Sequence, residues 1–228
     1  MHKDEFKSIA EIEKKERSKK AQKDNSDTVE ILKNFIVILI ISVVAGGILG
    51  FVHEITKEPI RQTEELKQLR ANQRVFSGAA SFEESVVTDE ELNSYISEYK
   101  NVSLSDCLEA VDTEGNLLGY VFKCTTNAGY GGNISFSMGV SLDGTLNGIS
   151  ITEISETPGL GMRAEEVLVP QFKNKNVSVF EVTKSGALMD YQIDAISSAT
   201  ITSKAVTEAV NAGLLAGRSL INGGEEHE

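Results

Sequence analysis

The longest uninterrupted apolar stretch lies near the start of the chain. Residues 34–52 carry no charged side chain, and thirteen of these nineteen residues are Leu, Ile, Val or Phe. With a rise of about 1.5 Å per residue, a helix of this length spans about 29 Å, close to the hydrocarbon thickness of a bilayer. The pattern predicts a transmembrane helix over residues 31–53, between a polar tail at residues 1–30 and a juxtamembrane helix at residues 54–80.

The flanks of this stretch favour a retained anchor over a cleaved signal peptide. The polar leader is long, and no small-residue cleavage site follows the apolar run. Residues 15–33 contain six Lys and Arg residues and residues 53–71 contain four, which places the N-terminus in the cytoplasm by a small margin. In the juxtamembrane helix we expect Pro59 in the first turn or at a kink, and an apolar face made of Ile60, Leu66, Leu69 and Val75.

Alternating apolar positions dominate the middle of the chain. Residues 107–111 and 117–125 flank a polar turn, and apolar residues alternate from Ile134 to Leu142, which puts five of them on one face. Asp143-Gly144 then leads into a further strand over residues 146–154. A helical stripe follows and ends near Gly217; it consists of Ala205, Val206, Ala209, Val210 and Leu214. Strands followed by a closing helix predict an α+β domain over residues 81–222.

Composition excludes several kinds of function. Lys and Arg total 22 against 34 Asp and Glu, a net charge of −12, so we expect no nucleic-acid partner. The histidines are His2, His53 and His227, outside the globular part, so a catalytic triad or a histidine metal site is not expected. Cys107 and Cys124 are too few for an iron–sulfur cluster, and either a disulfide or two reduced thiols fits them. We therefore predict no catalytic side chain and no metal site.

A cluster of hydroxyl groups precedes the closing helix. The segment Asp194–Lys204 carries Ser197, Ser198, Thr200, Thr202 and Ser203. The start of a helix has free backbone N–H groups and a partial positive charge, which suits a phosphate group. On local grounds the alternative is that Thr200 or Thr202 caps the helix. The residues alone leave both interpretations open.

This segment resembles the flavinylation motif of the FMN-binding domain family. Asp194, Ser197, Ala199 and Thr200 match it, followed by Ile-Thr-Ser-Lys-Ala-Val. The resemblance implies that Thr200 carries FMN through a phosphoester bond, with Ser197, Ser198, Ala199, Ile201 and Thr202 around the cofactor. Ser198 stands where the family usually has glycine, which costs some strain if the position requires a positive φ.

A second stretch supports the same resemblance. Residues 156–161 read Glu-Thr-Pro-Gly-Leu-Gly, similar to the family loop that lies against the isoalloxazine ring. This adds Glu156, Thr157, Pro158, Gly159 and Leu160 to the expected FMN site. Residues 129–132, Gly-Tyr-Gly-Gly, match the family's glycine-rich turn, to which we assign a plain hairpin role.

The family includes the G subunit of Rnf complexes and the C subunit of the sodium-pumping NADH:quinone reductase. Length and the single anchor are more similar to the Rnf protein. The resemblance implies an electron-carrying flavoprotein subunit of a ferredoxin:NAD oxidoreductase that moves Na⁺ or H⁺ across the cell (inner) membrane, with its FMN domain outside the cytoplasm. The implied partners are the lipid bilayer, the membrane and flavin/iron–sulfur subunits, and a flavin transferase. The alternatives are the quinone-reductase protein, or a flavin-free single-pass assembly or sensory domain of the same fold.

Overall fold

A computed structural model describes the backbone of residues 2–224 and the side chains of residues 32–223. The side chains of the predicted polar tail at residues 1–30, and the C-terminal His227, lie outside the described residues. The chain divides into two compact units, Met1–Gln62 and Thr63–Glu228. The α-helices have the bounds His2–Val75 (α1), Asp89–Ser94 (α2), Ala164–Val167 (α3) and Thr200–Gly224 (α4).

The first unit consists of the N-terminal part of α1. Beginning at Leu32, this helix contains a window long and apolar enough to cross a membrane, and none of that window is buried within the protein. Pro59 lies in the interior of α1 rather than in a first turn. The ring removes one intrahelical hydrogen bond there. The helix ends at Val75, short of residue 80.

The second unit is built on an antiparallel sheet whose strands follow one another in sequence order. Its strands are Ser81–Glu84 (β1), Val102–Val111 (β2), Leu117–Thr126 (β3), Ile134–Ser141 (β4) and Leu146–Ile154 (β5). Both predicted hairpins are present, since Val111 pairs with Leu117 and Val140 with Leu146. A separate parallel pair is formed by Glu181–Thr183 (β6) and Gln192–Asp194 (β7). The α+β fold class is confirmed.

One face of the sheet packs against α4. The β4 residues Ile134, Phe136, Met138 and Val140 are completely buried, as the alternation predicts. The fifth residue of the predicted face, Leu142, is 43% exposed because β4 ends at Ser141. The hydrophobic core of the unit therefore lies between this face and α4.

Two glycines allow α4 to lie close to the sheet. A Cβ atom at Gly213 would stand 2.5 Å from Sδ of Met138, and one at Gly217 would stand 3.0 Å from Cγ2 of Val140. The prediction that the helix ends near Gly217 is wrong, because α4 continues to Gly224. The glycine serves close packing instead of a helix stop.

The opposite face of the sheet is covered by the last turns of α1. Gln68 Nε2 donates to the Ser137 hydroxyl at 2.9 Å, and a Cβ at Gly139 would lie 3.0 Å from the Val75 carbonyl oxygen. The predicted apolar face of this helix is largely wrong, since Leu66 and Leu69 are exposed. The sheet presents serine and glycine here, so small and polar helix residues pack against it instead; the buried ones are Ala71, Asn72 and Val75.

Both cysteines are buried and unpaired. Burial raises the pKa of Cys107 to about 11 and also raises the pKa of Cys124. Two neutral thiols in the core agree with the reduced alternative. Neither thiol contributes to the cleft described below.

The close contact of α4 with β4 predicts a large effect of side-chain volume at Gly213. We expect Gly213→Val to lower the free energy of unfolding by about 3 kcal/mol, because the added atoms overlap Met138 and Phe122 in a filled core. Calorimetry of the detergent-solubilised chain measures this. The matched control is Gly223→Val, in the same helix with open space around it. Equal melting temperatures for the two variants would contradict this packing.

Candidate functional site

The segment that joins β7 to α4 places three free N–H groups at the start of the helix. The first α4 amide that bonds within the helix is that of Ser203, which donates to the Ala199 carbonyl at 3.1 Å. Within residues 32–223, the N–H groups of Thr200, Ile201 and Thr202 have no acceptor. These groups and the helix dipole give this point a partial positive charge. The arrangement can bind an anion.

The Ser203 hydroxyl joins the preceding segment to the start of α4. It accepts the Ile196 N–H at 2.9 Å and donates to the Ala199 carbonyl at 3.0 Å. In the part of the chain whose side chains are described, the hydroxyls of Thr200 and Thr202 form no hydrogen bond, so neither residue caps α4. Thr200 is half-buried, and its hydroxyl is available for chemistry.

A cleft of about 440 Å³ opens beside this helix start. That volume lies within the range of about 300–1,000 Å³ that is typical of small-molecule sites. Its lining residues come from three segments of the second unit: Tyr130, Glu156, Thr157, Leu160, Gly161 and residues 198–202. The exposed side chains of Leu160 and Ile201 offer apolar surface on two sides of the cleft. A flat apolar ring suits such walls.

Most of the predicted site residues come together in this cleft. Glu156, Thr157 and Leu160 line it, and so do Ser198, Ala199, Thr200, Ile201 and Thr202. Ser197, Pro158 and Gly159 are not among the lining residues. Pro158 and Gly159 instead form a turn, in which Gly159 has a φ of 79° and Leu160 N–H donates to the Thr157 carbonyl. This turn directs Leu160 and Gly161 to the cleft.

Sequence reasoning missed Tyr130 as a lining residue, and it placed Gly161 in the loop without counting it among the site residues. The Gly-Tyr-Gly-Gly stretch does connect β3 to β4, but Tyr130 also lies at the cleft and is 73% exposed. Gly161 stands where a Cβ would lie 2.8 Å from both Oε2 of Glu156 and Oγ1 of Thr202. The sequence feature that could have indicated Tyr130 is an aromatic residue between glycines, because a hairpin turn alone does not require an aromatic residue.

Glu156 is the one charged side chain among the described residues that line the cleft. It is 8% exposed, and its oxygens accept the N–H groups of Tyr130 at 2.8 Å and Gly131 at 3.2 Å. An anion at the helix start would therefore meet backbone N–H groups and hydroxyls, and none of the lining residues would add a charge-assisted bond from a lysine or arginine.

Ser198 adopts a φ of 65°, in the left-handed region. A positive φ is unfavourable for a residue with a Cβ atom, so serine at this position, where the family usually has glycine, costs some backbone strain. The backbone still turns into α4 at Ala199, whose N–H donates to the Ile196 carbonyl at 2.9 Å. The substitution thus leaves the shape of the helix start intact.

Comparison with known proteins adds independent information. The FMN-binding domain family matches residues 129–215, which include all the cleft-lining residues. The G subunit of the Na(+)-translocating ferredoxin:NAD(+) oxidoreductase complex of Acetobacterium woodii is 33% identical over 197 residues, covering 83% of this chain and 93% of that protein. The G subunit of the ion-translocating oxidoreductase complex of Methanosarcina acetivorans is 31% identical over 196 residues, covering 83% and 95%.

Among solved structures, the "Crystal structure of Shewanella oneidensis NqrC" aligns with a TM-score of 0.44 at 20% identity, covering 53% of this chain and 60% of that chain. The sequence relatives carry the assignment, since they match nearly the whole length of both proteins. The chain therefore belongs to the family of these G subunits, and its residues 129–215 match the FMN-binding domain.

Proposed function

We propose that this chain is the electron-carrying G subunit of a membrane-bound ferredoxin:NAD oxidoreductase (Rnf) complex that couples electron transfer to Na⁺ or H⁺ translocation. Its FMN is attached through a phosphoester to Thr200. The observation that carries this proposal is the unpartnered Thr200 hydroxyl at a helix start with free N–H groups, inside a cleft with apolar walls.

The residues of the cleft fit the parts of FMN. The N–H groups of Ile201 and Thr202 are suited to the phosphate oxygens. Leu160 and Ile201 supply apolar surface for the ring, and Gly161 lets the backbone approach closely. When bound, FMN supplies the ability to accept and donate one or two electrons. Ser198, Thr157 and the Tyr130 segment complete the enclosure.

The charges of the cleft explain why a covalent bond is useful. The one charged side chain among the described lining residues is Glu156, whose carboxylate repels a phosphate group. A phosphoester makes occupancy independent of affinity, so the cleft can stay open toward electron-transfer partners. The Thr200 hydroxyl oxygen forms the new bond to phosphorus and loses its proton, while the phosphoanhydride bond of an activated flavin nucleotide breaks and its nucleotide part leaves. The chain does no acid–base chemistry afterwards, in agreement with the absence of histidine from residues 54–226.

The surroundings of the protein follow from the same proposal. The N-terminus lies in the cytoplasm, one helix crosses the cell (inner) membrane, and the FMN domain lies outside the cytoplasm. The partners are the other Rnf subunits, both membrane-embedded and flavin/iron–sulfur, together with a flavin transferase that attaches the cofactor. Support comes from the apolar window of α1 and from relatives that belong to ion-translocating complexes.

The covalent linkage is tested by the intact mass of the natively purified chain. We expect the mass to exceed that of the polypeptide by FMN less one water, and peptide mapping to place the group on Thr200. Thr200→Ala loses the whole increment because the ester oxygen is gone. Thr202→Ala is the matched control from the same helix turn and keeps it. An unmodified wild-type chain, produced together with the transferase, would favour the flavin-free alternative.

The left-handed conformation of Ser198 predicts a stabilising substitution. We expect Ser198→Gly to raise the free energy of unfolding by about 1 kcal/mol, because glycine adopts a φ of 65° without a Cβ clash. The FMN content stays unchanged. Ser198→Ala is the control, since it removes the hydroxyl but retains the Cβ. An equal gain in both variants would show that the hydroxyl, and not the backbone, is responsible.

A further inference from the structure

Glu156 is a buried carboxylate without a cationic partner. It is 8% exposed, and within residues 32–223 no lysine, arginine or histidine forms an ion pair with it. Removing a carboxylate from water is unfavourable unless hydrogen bonds replace the lost hydration. Here the replacement is the pair of backbone N–H groups of Tyr130 and Gly131, one on each oxygen. Both oxygens thus have a protein partner.

The glycines around Glu156 hold this geometry tightly. A Cβ at Gly129 would lie 2.9 Å from Oε1 of Glu156 and 2.3 Å from the Gly132 carbonyl oxygen. A Cβ at Gly131 would lie 2.5 Å from the Ser155 carbonyl oxygen. The glycine-rich loop, residues 129–132, therefore lies directly against the segment that follows β5. At positions 129 and 131 only glycine fits. The carboxylate joins this loop to the segment that lines the cleft.

The loop sets the position of Tyr130. The ring of Tyr130 is 73% exposed, so packing around the side chain does little to fix it. Its backbone is fixed by the N–H bond to Glu156 at 2.8 Å. Tyr130 is nevertheless one of the residues that line the cleft. The bond to Glu156 thus fixes the backbone from which the ring projects.

We infer that Glu156 is a positioning residue: it holds the glycine-rich loop so that the Tyr130 ring covers one edge of the cofactor in the cleft and shields it from water. This inference rests on the proposed function for the identity of the cofactor. It adds an indirect role to the contact with FMN that is expected for Glu156, because each carboxylate oxygen accepts a backbone N–H of the loop.

The first test needs no cofactor. Amide hydrogen exchange is measured on the full chain in detergent for wild type and Glu156→Gln. The amide side chain retains one acceptor oxygen and turns an NH₂ group toward the other backbone N–H. We expect exchange at Tyr130 and Gly131 to become about tenfold faster, since bonds to a charged acceptor are the strong ones. Glu153→Gln, an exposed neighbour on β5, leaves both rates unchanged. Unchanged rates in Glu156→Gln overturn the inference.

The second test follows the flavin. Quenching of flavin fluorescence by acrylamide, a neutral quencher, is compared in wild type, Tyr130→Ala, Glu156→Gln and the double variant, with FMN content checked by mass. We expect each single variant to raise the quenching constant about twofold, because an aromatic ring covers a large area. The double variant equals Tyr130→Ala, since Glu156 acts through Tyr130.

The outcomes separate this inference from the proposed function. Additive effects in the double variant overturn the inference, because Glu156 would then act without Tyr130. An unchanged quenching constant in Tyr130→Ala also overturns the inference. If Glu156→Gln does not fold, the quenching constant of Tyr130→Ala is the deciding measurement. A wild-type chain without flavin refutes the proposed function, while the exchange rates at Tyr130 and Gly131 still report on Glu156.

Discussion

The contact between α4 and the sheet is the constraint on which the functional site depends. Gly213 and Gly217 allow the helix to lie directly on Met138 and Val140, and these β4 residues are completely buried. A helix held this closely has a fixed axis, so its first turn is fixed as well. The packing of Gly213 and Gly217 against β4, more than three helical turns from Thr200, therefore helps to hold Thr200 beside the 156–161 loop. A core contact thus determines the geometry of a surface cleft.

The cleft itself works through backbone groups more than through charged side chains. N–H groups at the start of α4 face the anion site, two further N–H groups engage Glu156, and glycines allow the loops to approach one another. The described lining residues thus combine an anion-binding backbone geometry with no lysine or arginine side chain. A covalent cofactor and an open cleft agree with these two properties, and so does a carrier that exchanges electrons with neighbouring subunits.

Sequence patterns predicted the strands and helices in which apolar residues recur at a regular spacing. The β2–β3 and β4–β5 hairpins and the α4 stripe follow alternation and helical spacing, so they were expected. Short strands such as β6 and β7, three residues each, have too few positions to show a period and form through contacts with distant residues. The buried face of α1 was assigned wrongly because the sheet opposite it is small and polar, which favours Ala71 and Asn72 over leucine.

For the site, the sequence by itself determined which segments to expect there: the matching motifs name Thr200 and the 156–161 loop. The tertiary structure decided the geometry. It left the first N–H groups of α4 uncapped, brought Tyr130 and Gly161 to the cleft, and engaged both oxygens of Glu156 with a loop 25 residues away in the chain. Such pairings depend on strand register and helix placement, which bring together residues far apart in sequence, and no local pattern records them.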